Sequence, residues 1–168
     1  MTYFDLFNIP IQLRVNTALL TRKFFELSKQ YHPDYVVNGN EADQAEALEK
    51  SALLNKAWKT FQNPDLTIKY VLLEKGLLEE EEKYQLPPGF LMEVLEINEQ
   101  VMEMEDTTDG AKLSSIISQL SSDIYEPVKE IVENYKEGIT TEKELLQVKE
   151  YYYKKKYLDR IKKELSTK

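Results

Sequence analysis

The residues best suited to chemistry stand together in Tyr31-His32-Pro33-Asp34, where an imidazole and a carboxylate flank a proline. His32 is the only histidine in the chain. An imidazole beside a carboxylate suits acid–base work, but nucleophilic catalysis also needs a serine or cysteine held against the base. The sequence indicates no serine or cysteine that would serve as the nucleophile beside His32. We therefore expect no catalytic residue here, and the elements around the four residues decide what else they do.

Two predicted helices hold this tetrapeptide at the tip of a hairpin. Pro33 lacks a backbone N–H and disfavours helical geometry in the residue before it, so the preceding helix must end near His32. That helix begins after Asn16, a good N-cap, and carries an apolar stripe over residues 17–31. Residues 41–62 repeat small and apolar side chains at spacings of four and three, which predicts an antiparallel partner helix.

The first helix of the hairpin is basic, although the chain has a formal net charge of −8. Between residues 14 and 31, four bases and one acid leave a net charge of about +3: Arg14, Arg22, Lys23, Lys29 and Glu26. A solvated helix face is the ordinary interpretation of such a group. Its position beside the hairpin tip favours a docking surface for an acidic partner.

Composition excludes several kinds of site. The absence of cysteine excludes disulfides, thiolate zinc sites and cysteine nucleophiles. A single histidine excludes a multi-histidine metal site, although not one made of carboxylates alone. The acidic net charge argues against broad binding to nucleic acid or anionic lipid. No glycine-rich phosphate loop is present. We therefore expect no cofactor, no metal and no enzymatic activity.

Length and patterning indicate an all-α protein. The 168-residue chain is long enough to bury a core, and only 5 glycines and 6 prolines interrupt its helix-forming residues. No apolar run approaches the length of a membrane span. The segment from Met1 to Asp5 lacks the basic start of a signal peptide. We expect a cytoplasmic protein.

Three segments of different character divide the chain. Residues 1–76 contain a short aromatic helix at Tyr3–Phe7, for which a β-strand is the alternative, then the hairpin and a helix that stops at Gly76. Residues 77–88 combine four successive glutamates with two prolines and are predicted to be a linker. Residues 89–168 are predicted to form a three-helix bundle.

Turn and cap residues predict where the helices of the bundle end. Pro127 is expected to kink or split the second helix, Gly138 to end it, and Glu144 to form a capping box with Thr141. The predicted order is a helix over residues 90–106, a turn over 107–110, a helix over 112–137, and a last helix capped by Thr140 or Thr141.

The first helix of the bundle carries six acids and no base, and its apolar residues fall on two stripes. Val94, Ile97 and Val101 occupy one stripe, while Leu91 and Leu95 occupy the other. Such a helix can bury one stripe and present the other to a partner. One broad core face is the alternative.

These features together resemble a known module. An aromatic first turn, a basic helix, Tyr-His-Pro-Asp and an antiparallel helix resemble the J-domain, which activates DnaK-type chaperone ATPases. Further segments are similar to the HscB (Jac-type) family of J-domain co-chaperones of iron–sulfur cluster assembly: Leu54-Asn55-Lys56-Ala57-Trp58, Phe90-Leu91-Met92-Glu93 and Tyr157-Leu158-Asp159-Arg160. The resemblance covers essentially the whole chain.

The resemblance implies two partners and no enzymatic role. An N-terminal J-domain would stimulate the ATPase of an HscA-like chaperone, and a C-terminal three-helix bundle would deliver an IscU-like scaffold protein to it. The implied chaperone-binding residues are His32, Pro33, Asp34, Arg22, Lys23 and Lys29. The implied scaffold-binding residues are Leu91, Met92, Leu95, Glu96, Glu99, Glu103 and Tyr157, where the family often has Phe at the position of Tyr157.

Two other interpretations stay open from the sequence. In the first, the chain is a J-domain protein whose C-terminal bundle recruits a different client protein. This interpretation rests on the same evidence up to Gly76. A helical enzyme that depends on carboxylates is the second alternative, and it requires acids that converge from several helices.

Overall fold

The computed structural model describes residues 1–32, 34, 39–104 and 107–167, which form helices and connecting loops without a β-strand. Pro33 and Asp106 lie outside the described residues, and the helix predicted to end near Asp106 ends at Glu103. The chain divides into two compact units, Met1–Val71 with Tyr135–Ile139 and Leu72–Asn134 with Thr140–Lys168. The domain boundaries at residues 76 and 88 stay a prediction.

The first unit contains the predicted hairpin. Helix α1 is Tyr3–Phe7, α2 is Thr17–Tyr31 and α3 is Glu41–Phe61. The Asn16 side chain accepts a hydrogen bond from the backbone N–H of Leu19 at 3.4 Å, so the predicted N-cap of α2 is confirmed. The strand alternative for the first segment is wrong, because a capping box between Thr2 and Asp5 starts a helix there.

Aromatic rings from several helices of this unit pack together. Phe7 and Phe61 are almost fully buried, with ring centroids 5.2 Å apart. Phe24 of α2 stacks on Trp58 of α3 at 4.7 Å, which joins the two arms of the hairpin. Trp58 is half-buried, and its ring also stacks on that of Phe7, so it packs against the core.

The second unit is built from α5 (Pro88–Glu103), α6 (Thr107–Tyr125), α7 (Lys129–Glu133) and α8 (Glu142–Ser166). Helix α4 (Pro64–Glu74) precedes them. The buried core is supplied by α5, α6 and α8: Phe90, Val94, Ile97, Val101, Leu113, Ile117, Leu120, Leu158 and Ile161. The predicted break at Pro127 is confirmed, since residues Glu126–Val128 form a 3-10 turn between α6 and α7.

Two local predictions for this unit are wrong. Residues 107–110 are the first turn of α6, not a connecting turn. A Cβ at Gly110 would lie 3.3 Å from the Met104 sulfur, at the flexible end of that side chain. The second correction concerns Gly138: α7 already ends at Glu133, and Gly138 lies beyond it with φ +80°. Non-helical backbone at Asn134 (φ −123°) ends the helix earlier.

The start of α8 agrees with its capping signal. The Thr141 hydroxyl accepts a hydrogen bond from the Glu144 backbone N–H at 3.1 Å, and the Glu144 carboxylate accepts from the Thr141 backbone N–H at 3.0 Å. Thr141, not Thr140, is therefore the N-cap.

Candidate binding surfaces

The hairpin tip presents its histidine and its aspartate to solvent. His32 is the C-cap of α2 and leaves the helix in an extended conformation (ψ 132°). Its Nδ1 accepts a hydrogen bond from the Asp34 backbone N–H at 3.2 Å. The Asp34 side chain is 85% exposed. A carboxylate exposed in this way can pair with a cation of another protein.

The basic residues of α2 differ in exposure. The Arg22 side chain is 93% exposed and its Nε lies 3.3 Å from the Glu26 carboxylate, which is a solvent-exposed pair of small energy. Lys29 is also exposed, whereas Lys23 is half-buried. Arg22 and Lys29 are therefore the more accessible of the three predicted docking cations.

Exposed apolar side chains that were not among the predicted binding residues accompany these cations. Leu19 is 77% exposed and Phe25 is 59% exposed. Residues 22, 25 and 29 follow one another at helical spacings of three and four, so Phe25 shares a face with Arg22 and Lys29. An exposed phenylalanine between two cations is the signal that would have identified this face.

Helix α5 buries one of its two apolar stripes and exposes the other, as the first of the two alternatives predicts. Val94, Ile97 and Val101 are buried in the core. The other side exposes Met92 (73%), Leu95 (50%) and Met102 (67%), with Leu91 half-buried. The single broad core face is therefore wrong.

Acids frame the exposed stripe of α5. Glu96, Glu99 and Glu103 are exposed, and within the described part of the chain none of them forms an ion pair. We call the set the acidic face of α5: Met92, Leu95, Glu96, Glu99, Met102 and Glu103. Met102 was absent from the predicted binding residues, although its spacing from Leu95 and Glu99 places it on this face.

Tyr157 of α8 lies half-buried against the core cluster to which α5 contributes. The Arg160 guanidinium lies 5.9 Å from the centroid of its ring. This geometry is a cation–π contact, and it leaves the phenol of Tyr157 at the edge of the bundle rather than in its interior.

The described residues offer little for metal chemistry. No three His, Asp or Glu side chains among them come close enough together to hold a metal ion. No helix in the described part of the chain is both long and apolar enough to cross a membrane.

Comparison with known proteins agrees with this geometry. Residues 86–166 match the family model described as the HSCB C-terminal oligomerisation domain. The chain is similar to chaperone HscB from Vibrio cholerae, with 25% identity, a TM-score of 0.75, and coverage of 99% of this chain and 96% of that one. It is also similar to human co-chaperone protein HscB, with 25% identity, a TM-score of 0.82, and coverage of 99% and 81%.

An exposed His–Asp pair at the tip of an antiparallel helical hairpin, followed by a separate helical bundle, defines the class of J-domain co-chaperones. The fold is all-α, with an N-terminal J-domain and a C-terminal three-helix bundle. The C-terminal part of the chain, residues 86–166, belongs to the HscB family, and the similarity to HscB co-chaperones extends over 99% of the chain.

Proposed function

We propose that this protein stimulates the ATPase of a DnaK-type, HscA-like chaperone and delivers an IscU-like scaffold protein to it. The delivery would assist iron–sulfur cluster assembly and transfer. The observation that carries the proposal is the exposed Asp34 carboxylate, which stands beside His32 at the end of a basic helix. In this role the protein is an activator without catalytic residues, cofactor or metal of its own, and we propose a cytoplasmic location.

The chaperone-binding surface combines the hairpin tip with the basic face of α2. Asp34 would pair with a cation of the ATPase, while Arg22 and Lys29 would meet acids on it. Pro33 would fix the turn, and Lys23 would add charge at the edge of the surface. Phe25 extends the predicted set, because an aromatic ring between two cations supplies apolar contact area at the centre of such a surface.

The scaffold-binding surface is the acidic face of α5 together with Leu91 and Tyr157. Exposed methionine and leucine side chains supply apolar area to bury, and the unpaired glutamates orient a partner that carries basic residues. Met92 is suited to this because its flexible thioether adapts to an irregular surface.

One chain that carries both surfaces acts as an adaptor. When the bundle holds the scaffold and the hairpin engages the chaperone, the effective concentration of one partner at the other rises without any new contact between them. This explains why the two surfaces have opposite charge: each selects a different protein.

The test is the steady-state ATPase rate of the cognate chaperone with and without this protein. We expect stimulation that Asp34→Asn abolishes and that added scaffold increases. Glu49→Gln is the matched control, because Glu49 is an exposed acid on α3 and its loss changes the net charge equally.

The outcomes separate the interpretations. Stimulation that the scaffold does not change would direct the bundle to another client. Equal stimulation by wild type and Asp34→Asn would contradict the assignment of the hairpin tip.

A further inference from the structure

A small cavity of about 210 Å³ lies between residues 82–86 and α8 in the second unit. We call it the tyrosine pocket, because three tyrosines line it: Tyr84, Tyr153 and Tyr157. The rings of Tyr84 and Tyr153 are stacked, with centroids 4.5 Å apart and planes 6° from parallel. The stacked pair forms a rigid wall for the cavity.

Three cations also line the tyrosine pocket: Lys83, Lys156 and Arg160. Neither Lys83 nor Lys156 forms an ion pair within the residues that the structure describes. Although the chain has a net charge of −8, this local concentration of positive charge attracts anionic groups.

The one carboxylate in the lining is already neutralised. Glu82 lies 2.7 Å from the Lys149 ammonium, and both side chains are mostly buried. Among the residues that line the pocket, the charge that remains open to a ligand is therefore positive. Burial also raises the pKa of Tyr84 and raises that of Tyr153 to about 12, so both phenols keep their protons and remain hydrogen-bond donors at neutral pH.

The size of the pocket limits what can enter it. Sites for whole small molecules usually enclose roughly 300–1,000 Å³. A cavity of about 210 Å³ accommodates a single acidic group better than a nucleotide or cofactor. Phenol and ammonium donors that surround a small open cavity are the groups that bind a carboxylate.

The pocket adjoins the proposed scaffold-binding surface. Tyr157 belongs to both, and Leu86, which also lines the pocket, comes two residues before α5 begins at Pro88. A protein docked on the acidic face of α5 would therefore extend to the pocket. One surface would offer the partner negative charge and the adjoining pocket positive charge, which fixes its orientation.

We propose that the tyrosine pocket receives an acidic side chain of the scaffold protein when that protein docks on α5. The inference rests on the proposed function and adds a second, oppositely charged contact to it. Its consequence is that the scaffold must carry an acidic residue beside the basic patch that meets the α5 glutamates.

Calorimetric titration of this 168-residue chain with the scaffold tests the proposal. The pocket variant is Lys83→Gln with Lys156→Gln, which removes two cations that contact no other described charge. The control variant is Lys162→Gln with Lys163→Gln, since both lysines are exposed on α8 and lie outside the pocket. Both variants lose two positive charges, so long-range electrostatics affect them equally.

We expect the pocket variant to bind the scaffold about tenfold more weakly, the effect typical of a lost charge-assisted hydrogen bond, and the control variant to bind about as tightly as wild type. Equal affinity of all three proteins, or an equal loss in both variants, would overturn the proposal. Matching thermal melting curves would show that folding is not the cause. If the wild-type protein does not bind the scaffold at all, that result contradicts the proposed function as well as the assignment of the pocket.

A titration with inorganic phosphate alone, at constant ionic strength, tests whether the pocket binds a free anion instead of a partner side chain. We expect no heat of binding. Binding of phosphate that the pocket variant loses would assign the cavity to a free anion and overturn the assignment to a partner side chain.

Discussion

The Lys149 ammonium lies 2.7 Å from the Glu82 carboxylate, with only 13% and 21% of the two side chains exposed. The pair attaches the acidic segment before α5 to α8. Glu82 is positioned locally as well, because its carboxylate accepts a hydrogen bond from the Glu79 backbone N–H at 3.0 Å and Glu81 adopts a left-handed φ of 59°. The predicted linker is thus packed at this point.

Breaking this pair should destabilise the second unit. Lys149→Met keeps the aliphatic length of the side chain but leaves the Glu82 carboxylate half-buried without its partner. We expect a loss of about 1–2 kcal/mol in the free energy of unfolding at neutral pH, measured by urea denaturation. In Lys149→Met combined with Glu82→Gln the loss should be smaller, because no unpaired charge remains. A double variant that loses the sum of both single effects would contradict the coupling.

The same pair should make the free energy of unfolding depend on pH in the acidic range. The hydrogen bond from Lys149 lowers the pKa of the Glu82 carboxyl from its usual 4.5. A carboxyl whose folded pKa is depressed contributes stability above its unfolded pKa and loses it as the pH falls through the folded pKa. Unfolding free energies measured from neutral pH to below 4.5 should therefore fall less steeply in Glu82→Gln than in wild type. Parallel curves would contradict this.

Tyr153 should titrate at unusually high pH. Burial, followed by the neighbouring Glu82 charge, raises its pKa from 10.0 to about 12. Because the folded pKa exceeds the unfolded one, the stability it contributes is full below pH 10 and is lost as the pH rises to about 12. Tyrosinate absorbance should show a late component that Tyr153→Phe removes. Loss of a component near pH 10 instead would contradict the assignment.

Gly110→Ala should stabilise the protein. Gly110 lies in the first turn of α6, where alanine is favoured over glycine by about 0.5–1 kcal/mol. The new Cβ would lie 3.3 Å from the Met104 sulfur, and a flexible thioether can move by the few tenths of an ångström required. Thermal unfolding measures the gain.

Gly76→Ala is the matched control for that substitution. No atom lies within 4 Å of the position that a Cβ at Gly76 would occupy, so alanine fits there sterically. The φ of +71° is unfavourable for alanine, however, so the substitution strains the backbone. Its melting temperature should fall while that of Gly110→Ala rises. Changes of the same sign in both variants would contradict the argument.

Leu95→Ser should weaken binding of the scaffold without a large cost to folding. The Leu95 side chain is half exposed on the acidic face of α5, and an apolar anchor of this kind contributes about 1–2 kcal/mol to an interface. We expect roughly tenfold weaker binding by calorimetry. Leu146→Ser on α8 is the control, since Leu146 is 45% exposed and lies on another helix. An equal loss in both variants would contradict the assignment of the face.

Helix termini were the features most directly predicted from local residues. Asn16, Thr141 and Pro127 act through hydrogen bonds, or the lack of one, within four residues of themselves, and each is found in its predicted role. The two errors, at residues 107–110 and at Gly138, are also local. Residues 107–110 are already helical, and α7 ends at Glu133 because the backbone of Asn134 is no longer helical.

The sequence by itself determined the helical segments, the hairpin and the two stripes of α5, because periodicity and capping are properties of neighbouring residues. Only the tertiary structure decided that Val94 is buried while Met92 is exposed, and that Glu82 pairs with Lys149. Those outcomes depend on which helix packs opposite, and α8 lies more than thirty residues further along the chain from α5. No periodicity within one segment contains that information, because burial is a property of two surfaces and not of one.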